Sequence, residues 1–413
     1  MRIATSQLYS NNVSTMENQQ AQILQLQAQI SSGSALSTPA DDPLGAAQAV
    51  QLSATSATLS QYASNQTTAL SSLQLEDNTL TSVTSTLQSI NSLMIQSQNG
   101  ALNDSDRSAL AQQMTGLRNQ LLTLANTTDG SGNYIFSGFQ STSQVFSNAS
   151  GGGVTYNGDA GQRTMQVSGS RQIAVGDTGA QVFQSVQAVG SDIVQSASTG
   201  NTGTGVVSAV TVTDPSQATN NDSYAINFSD DGSGNISYTV TDNTANPPTT
   251  TSPAAYTSGD AIPLGSGMNV SITGSPKGGD AFSVTPASNS ANTDVFKTID
   301  NVISALQTPT NNSPAAVATL TNQLNTGLTQ LGNSLSNVIT MQASVGGREQ
   351  EVKALQTVTS TNSLQVTTNL QDLTSTDMVS AISQFEQLSN ALTASQKSFA
   401  ATQNLSLFQY INP

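Results

Sequence analysis

The sequence predicts an α+β fold. Both chain ends form a long antiparallel helical bundle or coiled coil, with a β-rich hairpin region and a small all-β domain inserted between them. Heptad-spaced apolar residues occur toward both ends of the 413-residue chain. The middle instead holds short alternating runs separated by Gly, Asp and Asn, which are typical of strands and turns. Long helices at both ends favour an assembly subunit over an enzyme.

The first helix is predicted near the N-terminus, where the spacing of seam residues alternates between four and three. Its seam consists of Tyr9, Val13, Met16, Gln20, Ile23, Gln27 and Ile30. Gly33 and Pro39 then interrupt the pattern, so the helix should end before them.

Asp42 and Pro43 predict the start of a second helix, because Asp caps helices and Pro suits the first helical position. Asn99-Gly100 predicts its end. From Pro43 to Gln98 such a helix would span about 84 Å at 1.5 Å per residue, so it must lie against partner helices. Its seam is Tyr62, Gln66, Ala69, Leu73, Glu76, Leu80, Val83, Leu87, Ile90 and Met94. The polar seam residues are expected to fix register and partner choice.

Three further helices follow the same reasoning. One is capped near Asn103-Asp104, and another opens at Ser313-Pro314. The last begins after Thr374–Asp377, which resembles a capping box. Their seams are, in order, Leu110, Met114, Leu117, Leu121 and Leu124; Val317, Leu324, Leu328, Leu331, Leu335, Val338 and Val345; and Met378, Ile382, Phe385, Leu388, Leu392 and Phe399.

Seven short alternating runs in the middle of the chain are predicted strands. They are Tyr134–Phe136, Val154–Tyr156, Met165–Val167, Ser223–Phe228, Ile236–Val240, Met268–Ile272 and Ala281–Val284. A short helical patch around Gln181–Gln195 is expected to separate the hairpin region from the β-domain. The predicted domains are therefore terminal helices (1–40 and 375–413), a helical rod with the hairpin region (41–189 and 292–374) and a β-rich outer domain (190–291).

Composition excludes several classes of function. Only 8% of residues are charged and 4% are aromatic, so the chain can bury aliphatic residues along helix seams but lacks a large aromatic core. The net charge of −15, without a basic cluster, argues against binding nucleic acid or an anionic membrane. No Cys and no His means no thiol nucleophile and no imidazole base or ligand. We expect no catalytic site, no cofactor and no metal site.

Two acidic motifs have competing interpretations. Asp41-Asp42 could be paired catalytic carboxylates, but Asp42 is better explained as a helix cap, and Asp41 could contact a cation of a neighbour. The sequence Asp-Gly-Ser-Gly-Asn occurs at Asp129–Asn133 and at Asp231–Asn235. Gly and Asn favour turns, and the closing Glu of a twelve-residue Ca²⁺ loop is absent, so we interpret both copies as turns.

Three segments resemble the flagellin superfamily. Ile30–Gly33 followed by Pro39–Ala46 resembles its hallmark loop. Gly132–Phe139 and Leu405–Ile411 are similar to the helix-to-hairpin junction and the C-terminal ending of its hook–filament junction branch. Flagellins tend to have Ala where this chain has Pro43, and they tend to begin with an Ile-Asn-Thr-Asn run. Both differences favour the junction branch.

The resemblance implies a structural, non-enzymatic subunit that is exported unfolded by the flagellar type III apparatus and works outside the cell. Such subunits form a ring of identical copies between the first hook-associated protein and the flagellin filament. A cytoplasmic export chaperone is expected to hold the C-terminal helix, chiefly through Phe385, Leu388, Leu392 and Phe399. The terminal helices are expected to be disordered in the monomer and to fold on assembly.

These implications give two sets of candidate residues. The assembly interface should comprise Ile3, Tyr9, Val13, Met16, Ile23, Ile30, Met378, Ile382, Phe385, Leu388, Leu392, Phe399, Leu405 and Phe408. The hallmark loop and helix cap should comprise Gly33, Pro39, Asp41, Asp42, Pro43 and Gly45. Three alternatives stay open at this point: an atypical flagellin, a secreted adhesin whose β-domain is the active part, and an enzyme with its activity in the inserted domain. The enzyme would need a convergent acid pair or a metal site, and the sequence shows neither.

Overall fold

The computed structural model describes residues 2–36, 38–40, 42–185, 193–286 and 294–404, without the side chains of residues 2–6, 8 and 402–404. The helices in this part of the chain are α1 (Arg2–Ser32), α2 (Pro43–Ser97), α3 (Asp104–Ala125), α4 (Gly179–Phe183), α5 (Val295–Gln307), α6 (Pro314–Thr374) and α7 (Met378–Asn404). A short 3₁₀ helix covers Ala218–Asn221.

The strands lie between α3 and α5. They are β1 (Phe146–Asn148), β2 (Val154–Tyr156), β3 (Thr164–Ser168), β4 (Arg171–Ala174), β5 (Ile193–Ala197), β6 (Val206–Val207), β7 (Thr211–Val212), β8 (Tyr224–Asp230), β9 (Ile236–Asp242), β10 (Thr249–Thr250), β11 (Ala254–Ala255), β12 (Ala261–Leu264), β13 (Met268–Thr273) and β14 (Ala281–Pro286). Long helices at both ends and strands in the middle confirm the predicted fold class.

The chain divides into two compact units. Residues up to Asn65 and from Ala354 onward make up the terminal unit, and Gln66–Lys353 make up the central unit. Helices α2 and α6 contribute residues to both.

The predicted seam of α2 is confirmed through the central unit, where its residues from Gln66 to Met94 are all buried. Its polar members bind the hairpin region. The Gln66 Nε2 donates to the Val167 carbonyl in β3 at 2.7 Å, and the Asp177 N–H donates to a carboxyl oxygen of Glu76 at 2.9 Å. These side chains therefore fix the register of α2 against its own chain, while a role in partner choice stays a hypothesis.

The seam of α6 is confirmed at Leu324, Leu331, Val338 and Val345, which are buried. The prediction for Val317 was wrong, because this side chain is 37% exposed while Leu320 is buried. The rotation of this end of α6 is set by the amide of Asn322. The oxygen of this amide accepts from the Val207 N–H at 2.9 Å, and its nitrogen donates to the Gly205 carbonyl at 2.8 Å. The side chain thereby makes the hydrogen bonds that the backbone of a neighbouring strand would make.

Three other predictions need correction. Helix α5 was not predicted, although Asp294 caps it by accepting from the Phe296 N–H at 2.8 Å. Tyr134–Phe136 does not form a strand, because Tyr134 makes only an isolated bridge with Thr128 and the next two residues lie in a turn. The patch at Gln181–Gln195 holds only the end of α4 and the start of β5, and residues 186–192 lie outside the described part.

An aromatic cluster and one arginine hold the hairpin region against α3 and α5. The rings of Phe146, Phe183 and Phe296 lie 5.5–5.9 Å apart. The Arg118 guanidinium lies 5.5 Å above the Phe296 ring and binds both carboxylate oxygens of Asp300 at 3.0 and 3.1 Å. A buried two-pronged ion pair of this kind fixes the angle between the two helices that carry it.

The β-domain consists of antiparallel sheets that share one core. One sheet has the order β10-β9-β8-β14-β5, with β11 also paired to β9, and β13 pairs with β12, β6 and β7 in the other. Strands β8 and β9 are joined through the second Asp-Gly-Ser-Gly-Asn turn, with Asp230 opposite Ile236. Side chains of both sheets form a single buried cluster that includes Ile226, Phe282 and Ile272.

A buried acidic pair connects three elements of the central unit. Glu76 of α2 is 2% exposed and lies beside Asp177, which precedes α4 and forms an ion pair with Arg348 of α6. Burial and the charge of Asp177 raise the pKa of Glu76 from 4.5 to about 8. The carboxyl group of Glu76 is therefore protonated in the folded chain at neutral pH.

This raised pKa predicts that the central unit loses stability as the pH rises. Between about pH 4.5 and 8 the folded chain binds one more proton at Glu76 than the unfolded chain does, so the free energy of unfolding falls across that range. Glu76→Gln stays neutral and should remove this slope, with a gain of roughly 1–3 kcal/mol at pH 8. Urea unfolding at several pH values measures it.

A matched control is Glu351→Gln, which removes an acid paired with Arg171 at the protein surface. The pKa of Glu351 is lowered by that partner, so its removal should not flatten the slope. Equal slopes for the Glu76→Gln variant and the unmodified chain would contradict the assignment.

Candidate assembly interface

Helices α1 and α7 of the terminal unit pack against each other in antiparallel fashion. The rings of Tyr9 and Phe399 lie 5.1 Å apart at one end of the pair. At the other end, residues next to Gly33 bond with residues next to Ser375. The structure therefore brings the two predicted terminal stripes together within one chain.

The inward face of α1 differs from the predicted seam at two positions. Val13, Met16, Ile23 and Ile30 are half-buried, but Gln20 and Gln27 are exposed, whereas Gln19 and Leu26 are half-buried. The half-buried positions Met16 and Gln19, and likewise Ile23 and Leu26, are three residues apart. The predicted heptad seam had a spacing of four at both places. With few large apolar residues in α1, the sequence pattern did not determine which polar positions turn inward.

The predicted residues of α7 fall into two groups. Phe385, Leu388, Leu392 and Phe399 are half-buried, whereas Met378 and Ile382 stay exposed. The side chain of Ile3 and the residues Leu405, Phe408 and Asp41 lie outside the described part. Whether these residues form an interface between subunits stays a prediction.

Burial in the α1–α7 pair is shallow. Among the described side chains of α1 none is fully buried, and among those of α7 only Ala381 is. Tyr9 is 52% exposed despite its contact with Phe399. A helix pair is stabilised mainly by the apolar area that it removes from water. The pair therefore leaves much of its apolar surface exposed to water.

The breaks between α1 and α2 and between α6 and α7 are paired by backbone hydrogen bonds. The Ala35 N–H donates to the Thr374 carbonyl at 2.8 Å, and the Thr376 N–H donates to the Gly33 carbonyl at 3.1 Å. Gly33 has φ +70°, a conformation that favours glycine. This pairing joins positions more than 300 residues apart in the chain, and no local sequence signal predicted it.

Asp42 caps α2. One of its carboxylate oxygens accepts from the N–H groups of Leu44 and Gly45 at 3.1 and 3.0 Å. Pro43 is the first residue of the helix, and Pro39 lies in the preceding turn. A Cβ atom on Gly45 would lie 2.4 Å from the Asp42 carboxylate, so a larger residue there would require the Asp42 side chain to shift.

Asp377 caps α7 in the same way, accepting from the N–H groups of Val379 and Ser380, both at 3.1 Å. The prediction of a capping box at Thr374–Asp377 was wrong for Thr374. Thr374 is the last residue of α6, and its hydroxyl donates to the Leu370 carbonyl.

Both Asp-Gly-Ser-Gly-Asn motifs form turns that their own aspartate stabilises. Asp129 and Asp231 accept from backbone N–H groups of their own turns, Ser131 and Asn133 in the first and Ser233 and Asn235 in the second. Within the described ranges, no group of three or more acidic side chains is placed to hold a metal ion. Among the described helices, none combines the length and the apolar character that crossing a membrane requires.

The cap predicts a local effect of substituting Asp42. Asp42→Ala removes the acceptor of two N–H groups, which typically costs about 1 kcal/mol. The first turn of α2 should then open about five times more often, and thermolysin should cleave before Leu44 about five times faster. Asp42→Asn retains a capping oxygen and should stay near the unmodified rate. Equal cleavage of the Ala and Asn variants would contradict the cap.

Comparison with known proteins places this geometry in a family. Residues 3–141 match the family described as the bacterial flagellin N-terminal helical region. The chain is 30% identical to flagellar hook-associated protein 3 of Salmonella typhimurium over 412 residues, which covers 99% of each chain. Polar flagellin A of Vibrio parahaemolyticus is also 30% identical, but over only 33% of this chain and 35% of its own.

A solved structure gives the same result. The crystal structure of flagellar hook-associated protein 3 from Legionella pneumophila matches with a TM-score of 0.69 and 29% identity, over 78% of this chain and 98% of that one. The flagellin match is confined to a third of the chain, whereas the hook-associated match is end to end. The chain therefore belongs to the flagellar hook-associated protein 3 family, the junction branch of the flagellin superfamily.

Proposed function

We propose that this chain is the non-enzymatic structural subunit that joins the hook of a bacterial flagellum to its flagellin filament. The observation that carries the proposal is the shallow burial of α1 and α7. These helices meet in one chain, yet their described apolar side chains, apart from Ala381, stay half-buried or exposed. Further copies of the same pair would cover that surface, as expected of an assembly subunit.

The proposed domains have separate roles in this assembly. The terminal helices, 1–40 and 375–413, line an inner tube. The rod, 41–189 and 292–374, surrounds them, and the β-rich domain, 190–291, lies outermost. The paired breaks at Gly33 and Ser375 support this division, because they lie where the terminal helices meet the rod.

The proposed partners follow from the position of the subunit. Copies of this chain form a ring, with the first hook-associated protein on one side and flagellin on the other. The chain reaches this extracellular position through the flagellar type III apparatus, and a cytoplasmic chaperone shields α7 beforehand. The exposed Met378 and Ile382 and the half-buried Phe385 support α7 as that chaperone's target, since they offer apolar surface on one helix.

Two alternatives receive less support. A flagellin would be expected to resemble flagellins over more than a third of the chain. A secreted adhesin would use the β-domain as its working part. The end-to-end similarity to a hook-associated protein, which includes the β-domain, favours the junction.

Deletion of the gene tests the proposed function. We expect complete hooks without filaments, and unpolymerised flagellin in the culture medium. The full-length gene on a plasmid should restore filaments. Ile382→Asp should restore them poorly, because a buried charge in the proposed interface is costly, whereas Ile382→Leu should restore them fully.

Electron microscopy of the cells and immunoblots of the medium are the measurements. Deletion of a flagellin gene is the control, since it should leave the hook-associated proteins in place. Normal filaments on the deletion strain would contradict the proposal.

A further inference from the structure

The connection between α2 and α3 contains the pair Asn99-Gly100, and the only other Asn-Gly pair in the sequence is Asn157-Gly158. In such a pair the backbone nitrogen of the glycine can attack the side-chain amide of the asparagine, because glycine has no Cβ atom to hinder the approach. Both pairs hold the same reactants. The surrounding structure therefore decides which of them can react.

The backbone nitrogen of Gly100 is available for this attack. Asn99 and Gly100 are both exposed, and they lie between the end of α2 and the start of α3 at Asp104. In the described part of the chain the Gly100 N–H donates no hydrogen bond, whereas the N–H groups of Asn99 and Leu102 do. A Cβ atom on Gly100 would meet no atom within 4 Å, so open space surrounds this backbone and lets it rotate.

The side-chain amide of Asn99 is held in a way that favours the attack. Its Oδ1 accepts from the Ala101 N–H at 3.0 Å. When the Cγ atom is attacked, negative charge develops on Oδ1, and this N–H stabilises it as a donor in an oxyanion hole does. The Nδ2 group, which has to leave, forms no hydrogen bond to the other described residues.

The second pair is held in a conformation that hinders the same attack. The Asn157 Nδ2 donates to the Gln144 carbonyl at 3.3 Å and to the Ser147 hydroxyl at 3.2 Å. A Cβ atom on Gly158 would lie 2.5 Å from the Tyr156 side chain, so this backbone is enclosed. The Asn157 amide therefore has to break its hydrogen bonds, and the Gly158 backbone has to leave its contacts, before a ring can close.

We propose that Asn99 is a site of spontaneous deamidation in the folded chain, with water as the co-reactant. The Gly100 nitrogen bonds to the Cγ atom of Asn99, the bond from Cγ to Nδ2 breaks, and ammonia leaves with the proton of the Gly100 N–H. The product is a succinimide ring. Water then opens the ring at either carbonyl group. One opening gives aspartate at position 99, and the other gives isoaspartate, whose backbone runs through the former side chain.

Either product changes the short connection between α2 and α3. The new carboxylate lies beside the C-terminal end of α2, where the helix dipole disfavours negative charge. In isoaspartate the backbone is longer by one methylene group, and the Asn99 carbonyl that accepts from the Leu102 N–H at 3.1 Å becomes part of a carboxylate. The reaction involves this chain and water alone, so the inference does not rest on the proposed function.

Peptide mapping of the purified full-length chain, kept folded at neutral pH and sampled over time, tests the proposal. The mass of the peptide that contains Asn99 should increase by about one dalton as the amide becomes an acid. Chromatography should separate an aspartate and an isoaspartate form of this peptide. At Asn157 the reaction should be at least about tenfold slower, because its hydrogen bonds must open first.

Gly100→Ala is the matched variant. Its Cβ atom meets open space, so the fold should be retained, and urea unfolding verifies this. The added methyl group hinders the approach of the nitrogen and should slow the reaction at Asn99 at least about tenfold. The unmodified chain kept in urea is the second control. There the rates at Asn99 and Asn157 should converge, because both pairs have the same reactants.

Three results overturn the proposal. The first is an equal rate at Asn99 and Asn157 in the folded chain, and the second is a rate at Asn99 that Gly100→Ala leaves unchanged. The third is aspartate without isoaspartate, which indicates direct hydrolysis by water instead of a succinimide. A difference between the two sites that persists in urea overturns the role assigned to the fold.

Discussion

The structure depends on one constraint: a chain with so few charged and aromatic residues must bury its aliphatic residues along helix seams. In the central unit these residues are buried. The seam of α2 is fully covered from Gln66 to Met94, and its polar members Gln66 and Glu76 bind the hairpin region. In the terminal unit the aliphatic residues are not fully buried within one chain. Helices α1 and α7 meet, but their shared surface is too shallow to cover them. The same shortage of large apolar residues therefore leaves apolar side chains of the terminal unit half-buried or exposed, whereas the seam of the central unit is buried.

Much of the fold could be predicted because its main signal is periodic. The seam of α2 alternates without interruption over ten positions, so the sequence alone determined its inward face. Helix α5 was missed although Asp294 and the apolar residues that follow were a readable signal. Strands such as β6 and β10 have only two residues, and their pairing is set by tertiary contacts instead of local preference. Tyr134–Phe136 has strand-like residues, but Phe136 is drawn into the aromatic cluster beside Phe183.

The candidate site was predicted unevenly for the same reason. Asp42 and Pro43 act through neighbours two or three residues away, so their cap is visible in the sequence. The pairing of Gly33 with Thr376 joins distant segments, and only the fold reveals it. Phe139 was part of a recognised motif, but the sequence could not show that its ring stays in solvent while Phe136, three residues earlier, is buried. Exposure is a property of packing, and it separates these two phenylalanines although both belong to one motif.

We propose that α1 and α7 complete their burial only in the assembly. Hydrogen exchange on the purified full-length monomer, followed by mass spectrometry, tests it most directly. We expect amides of α1 and α7 to exchange at least about a hundredfold faster than those of α2 from Gln66 to Met94, because opening a shallow pair requires little free energy. Equally slow exchange in α1, α7 and the α2 seam would show that the terminal helices are stable alone, and it would contradict assembly-dependent burial.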